Sequence, residues 1–285
     1  MIRKLLRLIN GVSLAALLTL LRRGPTAARG VIGATNKAAT RSPDIHKLDA
    51  WFLCRGFPSS ESLHIEPSDW TDGTTAPLER LLIASLTRHF EPLRILEIGT
   101  YRGTTTRLLL DNAPTEATIW SLDLPLDVDY DALVAASDEH LVKHRRVVSA
   151  LSNHPRGDAV KLLHGDSMRP ETWDMVPSEL DLVFIDASHT YEAVRNDSER
   201  TFNALKDTGI VLWHDYSDGE SPQRGVGRYI RELMRQRKDV FICPETALAF
   251  RIPVNQLEAA RTRIEAWFPA HDFDQRFPSD LLPWL

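Results

Sequence analysis

Short apolar runs alternate with segments of helical spacing through the middle of this chain. Ile95, Leu96 and Ile98 form the first run, with Glu97 interrupting near its end. Residues 118–122, 160–163, 180–185 and 209–213 form four more. Runs this short, without polar alternation, read as strands buried on both faces, as in a parallel sheet. Helical segments lie between them. Residues 77–90 have Pro77 at the first turn and Leu78, Leu81, Leu82 and Leu86 in helical spacing. A helix opens at Thr104, another covers 130–147, a third carries Val194, Asp197 and Phe202, and a fourth spans 228–237. Residues 240–243 and 248–252 read as a closing antiparallel pair, and 254–268 as an amphipathic helix. The pattern predicts an α/β fold: a doubly wound, mostly parallel sheet of seven strands whose last strand is antiparallel.

The N-terminal end departs from this pattern. Arg3, Lys4 and Arg7 precede an uncharged run from Leu8 to Leu21, and Arg22 and Arg23 close it. As a helix that run reaches roughly 21 Å, short of a hydrocarbon core of about 30 Å. Three readings compete for residues 1–23: a secretory signal, a helix lying on an anionic membrane surface, and a helix packed on the domain or a second subunit. Residues 24–76 read as a linker followed by an irregular covering segment that holds Trp51, Phe52, Phe57 and Trp70. The catalytic domain is expected over 77–253, with a helix and tail over 254–285.

Composition narrows the class. With 285 residues, 43% of them hydrophobic, the chain is long enough for one large domain with extensions. A net charge of −5 gives no basic excess, so nucleic acid is not an expected partner. Cys54 and Cys243 are far apart and lack metal spacing, which fits reduced thiols in the cytoplasm.

The strand ends carry the chemistry. After the first strand, Gly99 and Gly103 stand four positions apart and a helix follows. This is the ligand-binding corner of an open α/β sheet. Tyr101 occupies the place where a dinucleotide fingerprint has its second glycine, which obstructs the approach of a pyrophosphate. Asp123 ends the second strand, 26 positions after Glu97, where a carboxylate can accept both ribose hydroxyls. His164-Gly165-Asp166-Ser167 follows the third strand, Asp186 and His189 the fourth, and His214-Asp215 the fifth. Carboxyl ends of adjacent strands share one crevice, so Asp186, His189, His214 and Asp215 should converge. Two carboxylates with an imidazole suit a divalent cation.

Glu97-x-Gly99-x-x-x-Gly103 at a strand–helix turn resembles the first motif of the Rossmann-like S-adenosylmethionine-dependent methyltransferases. Phe184-Ile185-Asp186-x-x-His189-x-Tyr191 with Trp213-His214-Asp215 resembles a bacterial branch related to the sugar and macrolide O-methyltransferases, and more distantly the catechol and caffeoyl-coenzyme A enzymes. The resemblance covers about residues 78–252. It implies S-adenosylmethionine as cofactor, held by Glu97, Gly99, Thr100, Tyr101, Gly103, Asp123, Asp166, Ser167 and Asp186. It implies a divalent metal such as magnesium at Asp186, His214 and Asp215, with His214 replacing the acid of the related enzymes. It also implies His189 as general base, three positions after the first metal acid.

The expected reaction is metal-assisted O-methylation of a sugar, glycolipid or secondary-metabolite hydroxyl. A nicotinamide-dependent oxidoreductase and a non-catalytic scaffold held to a membrane by residues 1–23 are the alternatives. The expected partner is a small-molecule or glycan acceptor, with peripheral contact to the inner face of the membrane and self-association both open. The glycine-containing loop at 221–227 is expected to close over substrate.

Overall fold

Five apolar runs become the parallel strands of one sheet, four of them central and the 160–164 strand at its exposed edge. The computed structural model describes residues 46–59, 61–66, 73–125, 149–217 and 225–270. The strands are β1 (Arg94–Ile98), β2 (Thr118–Asp123), β3 (Val160–His164), β4 (Leu180–Ile185), β5 (Leu205–Trp213), β6 (Val240–Ile242) and β7 (Ala249–Arg251). Their order is β3-β2-β1-β4-β5-β7-β6. All pairs from β3 to β5 are parallel, and β7 runs antiparallel to both β5 and β6. The expected seven strands and the antiparallel closing strand are therefore present.

The helices are α1 (Ala50–Gly56), α2 (Pro77–Phe90), α3 (Thr104–Asn112), α4 (Tyr191–Ala204), α5 (Gly225–Gln236) and α6 (Val254–Ala270). The expectations for 1–23, for the linker to residue 45, for the helix at 130–147 and for the tail beyond residue 270 fall outside the described residues. Among the described residues, no helix is long and apolar enough to cross a membrane.

The register places the site. Ile98 pairs with Leu122 on one side and Ile185 on the other, and Ile185 pairs with Trp213. The residues that follow these strands therefore emerge along one edge. The chain leaves β1 toward β2 and β3, then returns to β4 on the opposite side. That reversal is the switch point where open α/β sheets bind ligands. Leu96, Ile98, Val183, Ile185, Val211 and Trp213 are buried in one apolar cluster beneath this edge. Burial of that kind contributes roughly 25 cal/mol per Å² of apolar surface, which is why the central strands carry no polar alternation.

Three local features differ from the sequence reading. Residues 46–56, expected to be irregular, hold α1, whose first turn is capped by Asp49 Oδ1 accepting from Phe52 N at 2.7 Å. Just before it, Lys47 makes a parallel bridge to Ile242: Ile242 N donates to His46 O and Leu48 N to Ile242 O. This adds one short rung outside β6. β5 also starts at Leu205, directly where α4 ends, rather than at Gly209. A register shift between Leu180 and Leu182 absorbs the extra residues. Gly209 permits it, because a Cβ there would press on Leu205 and on Leu180 O.

Candidate active site

The turn after β1 is built from backbone constraints. Gly99 has φ +98, and a Cβ on it would lie 2.0 Å from Asp186 O. The glycine is therefore required by the crossing of β1 and β4, where Asp186 N also donates to Ile98 O. Gly103 caps α3 at φ 76. Tyr101 adopts φ 49, and its N donates to Asp123 Oδ2 at 3.0 Å. The carboxylate that ends β2 thus orders the turn beside it, while Leu124 N donates to its other oxygen.

Glu97 lies below this turn and is fully buried. Its Oε2 accepts from the hydroxyls of Thr106 and Ser121, and Thr100 Oγ1 lies 2.6 Å from Ser121 Oγ. Oε1 has no hydrogen-bond partner. Burial pushes the carboxyl up to about 8 against the pull of those two hydroxyls, so Glu97 is neutral at pH 7. Thr100 supports this buried network by way of Ser121.

At the end of β3, Asp166 Oδ1 accepts from Met168 N. The backbone carbonyl of Ser167 accepts from Trp173 Nε1 at 2.7 Å and from Asn196 Nδ2 at 2.8 Å. A loop expected to meet an adenine ring is thereby held from both flanks.

Asp186, His189, His214 and Asp215 converge as the strand ends require. His214 N donates to Ile185 O, which fixes the start of the loop after β5. His214 Nδ1 lies 3.2 Å from Asp186 Oδ1 and 3.1 Å from Asp215 Oδ2. His189 Nε2 lies 2.8 Å from the same Asp215 oxygen. Burial alone would push the Asp215 carboxyl up. Hydrogen bonds from His189 and His214 outweigh it and hold Asp215 well below the usual carboxylate range. Burial alone would lower His214, but the charge of Asp186 and hydrogen bonds to Asp186, Asp215 and Glu79 raise it well above the ordinary imidazole value. His214 is accordingly a cation enclosed by acids. Among the described residues, Asp186, His189 and Asp215 bring ligand atoms within 4.8 Å of one another. His214, expected among the ligands, instead directs both ring nitrogens to carboxylates.

Sequence reasoning missed two contributors. Glu79, in the first turn of α2, puts Oε2 at 3.1 Å from His214 Nε2. Its only visible signal was a helix-start pattern, proline followed by glutamate. Gly225, taken as part of a closing loop, is the buried first residue of α5. Its N donates to His189 O at 2.6 Å, and a Cβ on it would lie 1.8 Å from Tyr191 N.

Residues 96–216 match the sequence profile of a family described as a methyltransferase domain. This stretch is similar to that domain. It contains every candidate residue read from the sequence, whereas Glu79 and Gly225 lie outside it. The chain is also 26% identical, over 154 residues, to an uncharacterized protein of Acanthamoeba polyphaga mimivirus. That match covers 53% of this chain and 65% of the relative, so the chain spans slightly less than two thirds of it. Among solved structures, an SAH-bound methyltransferase of Podospora anserina is similar at 19% identity and a TM-score of 0.49, over 80% of this chain and 95% of that one. An O-methyltransferase of Bacillus cereus in complex with SAH gives 14% and 0.45, over 64% and 84%. The O-methyltransferase TomG of Streptomyces achromogenes, in complex with SAM, gives 14% and 0.44, over 74% and 91%.

Proposed function

We propose that this chain is an S-adenosylmethionine-dependent O-methyltransferase acting on a hydroxyl of a sugar, glycolipid or secondary metabolite. The observation that carries the reading is the His189–Asp215 pair at the switch-point crevice of a stretch similar to a methyltransferase domain, with Nε2 at 2.8 Å from the carboxylate. The cofactor's sulfonium is already a good leaving group. The remaining tasks are alignment of the acceptor oxygen and removal of its proton. His189, held through Nε2 by Asp215, takes the proton of the acceptor hydroxyl. Asp123 would hold the ribose, and the loop at Asp166 and Ser167 would hold the adenine.

A second reading has its own support. Two carboxylates and an imidazole within 4.8 Å are a donor set that fits a hard or borderline divalent cation. Asp186, Asp215 and His189 would hold it. Bound there, it would supply Lewis-acid polarisation of the acceptor hydroxyl.

One experiment tests both. Labelled cofactor is offered with cell-envelope glycans and metabolite pools, with and without chelator, to the unaltered chain and to His189→Ala. The first reading expects methyl transfer to survive chelation and to fall by roughly a hundredfold in His189→Ala, with cofactor binding kept. Loss on chelation and return with magnesium would favour the second. A His189→Ala chain as active as the original would remove this residue from the chemistry.

A further inference from the structure

Glu79 connects the crevice to a part of the chain that precedes the stretch matched by the methyltransferase profile. The residue is 5% exposed, and its carboxylate meets donors from three separate segments. Ala76 N donates to Oε2 at 2.6 Å, at the start of α2. Ala247 N donates to Oε1 at 2.8 Å, from the stretch before β7. The third contact is His214 Nε2, at 3.1 Å from Oε2. The backbone around Ala247 is itself tied to the site, because Tyr216 N donates to Ala247 O. Two backbone donors from opposite ends of the chain therefore fix where this carboxylate stands, whatever the ring does.

The ring then has one good orientation. With Nε2 toward Glu79, Nδ1 meets Asp186 and Asp215. A half-turn of the imidazole would put carbon where each nitrogen is and break all three contacts. The ring acts as a strut between α2 and the two strand-end carboxylates. Asp215 passes the constraint on, since the oxygen that meets His214 also meets His189.

We infer that Glu79 is a positioning residue for methyl transfer: by fixing the His214 ring it sets the Asp186 and Asp215 carboxylates and, through Asp215, the ring of His189. The inference rests on the reading of His189 as the base. Glu79 touches neither cofactor nor acceptor in this account. It acts by geometry, in the way that partners behind a metal or a catalytic histidine fix ring orientation.

The test uses the full chain labelled with 15N-histidine, compared with Glu79→Gln. The nitrogen resonances of His214 and of His189 should both move in the variant, although Glu79 bonds only the first ring. Methyl transfer should fall roughly 10- to 100-fold with S-adenosylmethionine affinity kept, the range seen when such supporting partners are removed. Where Glu79→Gln does not fold, Glu79→Asp is measured instead, which keeps the charge and shortens the reach. A merely capping glutamate would lower the unfolding temperature and leave His189 unmoved; that result overturns the inference, as does unchanged turnover in a folded variant. If the unaltered chain transfers no methyl group to any hydroxyl, the functional reading fails and the resonances alone decide the positioning.

Discussion

Glu97 is a charge in the sequence, interrupting an apolar strand beside a glycine turn, and a neutral acid in the fold, bonded to two hydroxyls. Its pKa is raised from 4.5 to about 8, so between those values the folded chain holds a proton that the unfolded chain releases. Stability from this group is complete below the unfolded value and is lost as pH rises through the folded one. Glu97→Gln imitates the protonated form and should fold at neutral pH. The unfolding free energy of the original minus that of Glu97→Gln should therefore fall between about pH 5 and about pH 8, with each pKa unit equivalent to ~1.4 kcal/mol. A difference that stays flat across that range would show that Glu97 is ionised in the folded chain. The strand position of Glu97 was legible because an apolar run marks itself. Its protonation was not, because it comes from complete burial among elements that only the fold brings together, against the pull of Ser121 and Thr106.

At the level of elements, the start of α5 controls both loops of the crevice. Gly225 lies against the loop that bears His189, and a Cβ on Gly227 would lie 2.2 Å from Ser217 O, just after Asp215 and Tyr216. Gly225→Ala must push the first loop away, since backbone atoms cannot swing aside as a side-chain tip can. Turnover should drop by roughly a hundredfold, the cost of misplacing a reacting group by about 1 Å, while cofactor affinity holds. Gly157→Ala, whose nearest atom would be Leu151 O at 4.0 Å, should leave turnover unchanged. Equal activity in both variants would refute the packing argument. The sequence showed two glycines before a helix, and turn chemistry made a closing loop the natural expectation. What it could not show is that α5 begins at Gly225 and that its glycines face inward, because the reason for them lies on other loops. The strands fared better, since each could be read from its own composition, and only the early start of β5 escaped, hidden behind polar residues 206–208.

For the molecule as a whole, ligand linkage gives the most direct check on the cofactor. S-adenosylmethionine at about 100 times its Kd should add ~2.7 kcal/mol to the unfolding free energy. For a domain of this size that corresponds to a rise of roughly 5–10 °C in Tm. Asp123→Ala, which loses both the expected ribose contact and the carboxylate that orders Tyr101, should show little of that rise. A nicotinamide nucleotide should give none to either chain, and a rise with it alone would restore the oxidoreductase reading. The rung made by His46, Lys47 and Leu48 bears on a different property of the molecule. β6 is three residues long and entirely apolar, and this rung occupies its outer row of hydrogen-bonding groups. Uncovered, that row is a template for another chain, and the apolar side chains beside it would favour the encounter. A chain shortened to begin at Ala50 should therefore keep its catalytic groups and lose its solubility, growing into aggregates that light scattering follows with time and concentration. The few residues before α1 act as a guard on the sheet's last edge, keeping separate copies of the protein from adding to one another.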